Sequence, residues 1–106
     1  MHFLCLSSEL PEGRSRGFEV AGNKLLGVRR HGQVYLYRNR CPHRGIPLNW
    51  EPGDSVLDAT ASLLGCAHHG ALFLVESGEC ISGPCEGDAL EALECHEDHQ
   101  GIWLTA

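Results

Sequence analysis

Positive charge is what this chain has least of. Eight Lys and Arg stand against fourteen Asp and Glu, a formal net charge of -6 over 106 residues. Nucleic-acid binding needs a basic footprint, so the deficit argues against it. Long apolar runs are missing as well, and no stretch approaches the roughly 20 apolar residues of a membrane span. The opening MHFLCLSSEL lacks the basic start, long apolar run and small-residue cleavage site of a secretory leader. There is no internal repeat and no low-complexity tract, and helical periodicity is weak. A length of 106 residues predicts a single domain over 1–106, too small to hold a cofactor domain beside a separate substrate domain. The cytoplasm is the expected location. In a reducing compartment, six cysteines point to metal or redox chemistry more than to disulfides.

What is present is turn chemistry and short apolar runs. Thirteen glycines and five prolines are spread along the chain. Phe3 to Leu6 is a short apolar run. Leu25 to Val28 and Val34 to Tyr37 flank Arg30-His31-Gly32-Gln33, which reads as a hairpin turn. Leu72 to Val75 and Glu79 to Ile81 flank Ser77-Gly78 in the same way, and Ala92 to Cys95 and Ile102 to Leu104 flank a turn around His99-Gln100-Gly101. Ser7 to Leu10 reads as a short helix or a turn. Short strands at regular intervals predict an all-β sandwich or barrel.

The acidic excess lies largely in the second half, at Glu76, Glu79, Glu86, Asp88, Glu91, Glu94, Glu97 and Asp98. It suits steering toward a basic protein partner, and equally a solvated face that only aids solubility.

Two stretches are too rich in Gly, Pro, His and Cys to be strands: Cys41 to Pro47 and Cys66 to Gly70. They read as loops presented by a rigid β scaffold. Cys41-Pro42-His43-Arg44-Gly45 and Cys66-Ala67-His68-His69-Gly70 each set a thiolate and an imidazole close together, then a glycine. Thiolate suits zinc, copper(I) or an iron–sulfur cluster, and imidazole suits zinc and iron. Structural Cys2His2 zinc sites normally pair C-x(2–4)-C with H-x(3–5)-H. Here each loop mixes the two ligand types, as C-x-H and C-x2-H. A Rieske [2Fe–2S] cluster needs both cysteines on one iron and both histidines on the other, and two mixed loops supply that.

With CPHRG and CAHHG followed by GECISGP, the chain resembles the Rieske ferredoxin family from about Glu9 to Leu104. The resemblance implies an antiparallel β-sandwich or barrel with a small cluster-binding subdomain formed by the two Cys/His loops. It implies one [2Fe–2S] cluster per chain, with Cys41 and Cys66 on the inner iron and His43 and His69 on the outer, near-surface iron. Pro84 matches the loop that covers the cluster, and His68 stands where many ferredoxins carry Trp. The 22 residues between His43 and Cys66 exceed the usual spacing, and the extra length is expected in Asn49 to Gly65.

High-potential members of the family carry a loop-to-loop disulfide at the positions of Ile46 and His68, and Ser and Tyr hydroxyls at those of Ala71 and Phe73. None of these is present here. The resemblance therefore implies a potential toward the low end of the Rieske range, roughly -150 mV.

The implied function is a soluble, monomeric one-electron carrier between a reductase and an oxygenase or another redox enzyme, with no catalysis of its own. One alternative is a subunit or regulatory module resembling the small Rieske-like subunit of assimilatory nitrite reductase. Another is a structural zinc domain or an iron or redox sensor. Cys5, Cys80, Cys85 and Cys95 are expected to be small buried hydrophobes, with a redox role open for Cys80 and Cys85. His2, His31, His96 and His99 are expected at the surface, and Trp50 and Trp103 in packing.

Overall fold

The computed structural model describes residues 2–40, 63–65, 71–83 and 86–105. Its strands form three antiparallel sheets. The first consists of β1 (His2–Cys5), β10 (Gly101–Leu104) and β9 (Cys95–Asp98), in that order. The second runs β2 (Ser15–Val20), β3 (Asn23–Arg30), β4 (Gln33–Arg38) and β8 (Ala92–Leu93). The third runs β5 (Leu63–Gly65), β6 (Leu72–Leu74) and β7 (Cys80–Ser82). A single 3-10 turn covers Ser7–Glu9, where the sequence leaves helix or turn open. Among the described residues, no helix is long and apolar enough to cross a membrane.

The second sheet lies between the other two, and β3 shows why. Successive side chains of a strand point to opposite faces, and in Leu25-Leu26-Gly27-Val28 both faces meet apolar partners. Leu25 packs with Leu36 and Leu104 toward the first sheet. Leu26 and Val28 pack with Tyr37, Leu64, Phe73, Val75, Cys80 and Leu90 toward the third. That double burial accounts for an apolar run where a one-sided strand would alternate.

The β3–β4 hairpin closes with Arg30 opposite Gln33, leaving His31 and Gly32 as a two-residue turn with positive φ at both. Two backbone N–H groups of this turn, from His31 and Gly32, donate to the Glu12 carboxylate at 2.7 and 2.8 Å. Those two bonds hold the Glu12 carboxyl below the ordinary glutamate range.

The structure departs from the sequence reading at several elements. The first strand is His2–Cys5, not Phe3 to Leu6. Ser15–Val20 is a strand that the hydrophobic pattern does not announce, because it is a sheet edge with most of its side chains exposed or half-exposed. The expected hairpin arm Ala92 to Cys95 divides. Ala92 and Leu93 pair with Tyr37 and Leu36 of β4, whereas Cys95 begins β9 and pairs with Leu104. The expected Asn49 to Gly65 excursion ends earlier, since Leu63–Gly65 is a strand paired with β6.

Candidate cluster site

The described residues flank the two Cys/His stretches of the sequence. Cys41, His43, Cys66 and His69 themselves lie outside the described residues, as do Ile46, Trp50, His68, Pro84, Cys85 and residues 49–62. Strand β4 ends at Arg38, and the Asn39 backbone N–H continues its ladder by donating to the Lys24 carbonyl at 2.9 Å. Asn39 is 7% exposed, the only buried polar residue among those described, and it stands two positions before Cys41. On the other side, β5 and β6 pair from Leu63↔Leu74 to Gly65↔Leu72. This closing pair brackets the Cys66–Gly70 stretch, with Cys66 following directly on the last residue of β5.

The third sheet packs its inward side chains tightly against the second. Leu64, Phe73, Val75 and Ala71 are fully buried, and Cys80 nearly so. Tyr37 joins the two layers: its hydroxyl donates to the Val75 carbonyl at 2.6 Å, and burial pushes the phenol up to about 12. A buried tyrosine needs such a partner. At the far end of β7, Gly83 has φ +99°, and a β-carbon there would lie 2.7 Å from the Ala71 Cα. The stretch leading to Pro84 is thus laid directly on the residue after Cys66–Gly70.

Among the described residues, no group of three or more His, Cys, Asp or Glu could hold a metal ion. Cys5 and Cys80 are buried as expected, whereas Cys95 is half-buried; burial raises the thiols of Cys5 and Cys95 above the ordinary cysteine range. Cys80 Sγ lies 3.2 Å from the Ser82 carbonyl. His2, His31, His96 and His99 are exposed, and Trp103 packs edge-on against Phe3 with ring centroids 5.0 Å apart.

The profile of the Rieske [2Fe-2S] domain matches residues 1–97. The chain belongs to the Rieske [2Fe–2S] domain family. The cysteine and histidine side chains in the sequence of residues 41–47 and 66–70 are the donor types such a cluster takes, so residue chemistry and family agree on the group.

Among curated relatives, the terminal oxygenase component CarAa of carbazole 1,9a-dioxygenase from a Sphingomonas species is 32% identical over 76 residues, which are 72% of this chain and 19% of that protein. The cytochrome b6-f complex iron-sulfur subunit of Chlorobaculum thiosulfatiphilum is 32% identical over 78 residues, 74% of this chain and 39% of that one. The Rieske chain therefore spans well under half the length of these curated relatives.

Among solved structures, the ferredoxin of carbazole 1,9a-dioxygenase from Nocardioides aromaticivorans IC177 superposes with a TM-score of 0.77 at 24% identity. That match covers 96% of this chain and 93% of the ferredoxin. A structure titled as the complex of reduced oxygenase and oxidized ferredoxin in carbazole 1,9a-dioxygenase matches with a TM-score of 0.76, covering 96% of this chain and 89% of that chain. At these identities the likeness speaks for the fold: an all-β antiparallel Rieske domain.

Proposed function

We propose that this protein is a one-electron carrier whose single domain, 1–106, holds one [2Fe–2S] cluster through Cys41, Cys66, His43 and His69. The cluster supplies a reversible one-electron couple. The chain's own Cys41 and Cys66 would hold it through their thiolates, and His43 and His69 through their imidazoles. Pro84 belongs to the covering loop. Ala71 and Phe73 present no hydroxyl beside the second ligand loop, which keeps the couple at the low-potential end of the family.

The observation that carries this reading is the family match over residues 1–97, combined with a fold that spans nearly all of a stand-alone ferredoxin. The partners are a reductase as donor and an oxygenase or another redox enzyme as acceptor, met in a transient encounter. The protein is cytoplasmic and monomeric, and performs no substrate chemistry of its own.

Large relatives favour one other reading, a Rieske module working within a bigger oxidoreductase, since the curated relatives extend far beyond the matched stretch. Stable co-purification with a stoichiometric partner would point there; a freely exchanging monomer points to the carrier.

The decisive experiment is EPR on the dithionite-reduced protein, purified without air, with iron and sulfide counted on the same sample. A rhombic spectrum of low average g and about two irons per chain is expected. His69→Ala should abolish that signature while leaving the β scaffold folded. A colourless, EPR-silent protein containing zinc would replace the carrier with a structural domain.

A further inference from the structure

The outer edge of the third sheet carries an irregularity. Phe73 pairs with Cys80 and Leu72 with Ser82, so the register shifts and Ile81 is left without a partner across the ladder. A bulge of this kind bends a strand and re-aims a side chain. The side chain re-aimed here is an isoleucine, 44% exposed, beside the buried Cys80. Large exposed hydrophobics are few among the described residues. The other two, Phe3 and Leu6, lie at the opposite end of the chain, and Phe3 is already packed against Trp103.

Charge around Ile81 is one-sided. Every Lys and Arg lies at or before residue 44, and eleven of the fourteen acidic residues lie after it. Strands β3 and β4 carry arginines back to three of those acids: Arg29 to Glu97, Arg30 to Glu76 and Arg38 to Glu91. The acids beside Ile81 receive none. Glu79 stands two residues before it on the same chain segment. The Asp88 carbonyl accepts the Cys80 N–H at 2.8 Å, and Glu86 closes a turn by donating its N–H to the Gly83 carbonyl at 3.2 Å. Glu79, Glu86 and Asp88 are exposed and make no ion pair among the described residues.

We propose that Ile81, flanked by Glu79, Glu86 and Asp88, is the docking surface for a redox protein that presents an apolar pocket rimmed by Lys and Arg at its cofactor edge. The inference rests on the carrier reading above and names the part of the surface that reading leaves open. Ile81 supplies the desolvated anchor that slows dissociation. The carboxylates supply steering, a rate effect that salt screens. The surface sits where a carrier needs it, because β7 leads into Gly83, which rests on Ala71 at the exit of the second ligand stretch.

The test uses the reduced, cluster-loaded protein in stopped flow against an oxidised basic c-type cytochrome, whose haem edge is surrounded by lysines. The double variant Glu79→Gln/Glu86→Gln should slow electron transfer about tenfold at low ionic strength and flatten its salt dependence. The control Glu19→Gln/Glu94→Gln removes the same charge elsewhere and should change the rate by less than about twofold. Ile81→Ser should slow the reaction roughly fivefold at every ionic strength, while its rate with ferricyanide stays at the wild-type value.

Equal slowing by the two double variants would show that only net charge matters and would overturn the surface. An unchanged cytochrome rate in Ile81→Ser would remove the anchor and overturn it likewise. If the wild-type protein lacks the rhombic EPR signal, the carrier reading itself fails and takes this inference with it, before any rate is compared.

Discussion

Gly83 and Ala71 meet through their backbones, so closely that a β-carbon on Gly83 would lie 2.7 Å from the Ala71 Cα. Nothing larger than hydrogen fits at Gly83 unless the two segments separate. Gly83→Ala should therefore lower the unfolding free energy by about 2 kcal/mol or more and reduce iron bound per chain. Gly87→Ala is the control: its φ is almost the same at +98°, but no atom lies within 4 Å of the added carbon. It should cost only the conformational part, about 1 kcal/mol, with iron content unchanged. Chemical denaturation and iron assays on both variants decide the point.

Tyr37→Phe removes the hydroxyl and leaves the Val75 carbonyl buried without this donor. A loss of about 1–3 kcal/mol is expected. Because burial raises the phenol from 10.0 to about 12, the native state keeps its proton where the unfolded chain gives it up. The resulting stability is full below pH 10 and is lost as pH rises toward 12. Denaturation across that interval should show an alkaline decline in the wild type that Tyr37→Phe lacks.

Arg29 joins three elements. Its Nε donates to the Leu10 carbonyl at 2.7 Å, and its Nη1 to Glu97 Oε1 at 3.1 Å. The guanidinium holds the Glu97 carboxyl below the ordinary value of 4.5. A lowered carboxylate contributes its stability above the unfolded value and loses it as pH falls through the folded one. Melting temperature should thus drop as pH falls below 4.5. Glu97→Gln should flatten that drop and cost about 1 kcal/mol at neutral pH.

Ala71 and Phe73 are both fully buried and carry no hydroxyl. Ala71→Ser and Phe73→Tyr each add an O–H on the segment that follows the proposed ligand stretch, residues 66–70. Each should raise the reduction potential by on the order of 60 mV, the one-electron equivalent of a hydrogen bond worth about 1.4 kcal/mol. Voltammetry of both variants provides the measurement, and an unchanged potential would separate these positions from the cluster sulfurs.

Much of this was readable in the residues. The proposed ligand stretches stand out in the sequence because Cys and His together, next to glycine, serve few purposes in a strand, and they lie outside the described residues. The His31-Gly32 turn is legible because its neighbours are apolar and its own residues suit positive φ. Less legible were elements decided by distant partners. Ser15–Val20 lies at a sheet edge and buries too little to show a period. Ala92 and Leu93 leave Cys95 for β4 because Leu36 and Tyr37 offer an open ladder there, which no local pattern records. The same holds for the site: that Asn39 would be buried, or Tyr37 anchored to Val75, depends on a sheet far away in sequence.

The phenol of Tyr37 and the buried wedge of Leu64, Phe73 and Val75 have one further consequence for a carrier. A close-packed foundation has no alternative arrangement to relax into when charge is added above it. For the carrier proposed above, the nuclear rearrangement that accompanies each electron would then be small, and the speed of exchange would follow driving force and distance rather than the pace of a moving scaffold.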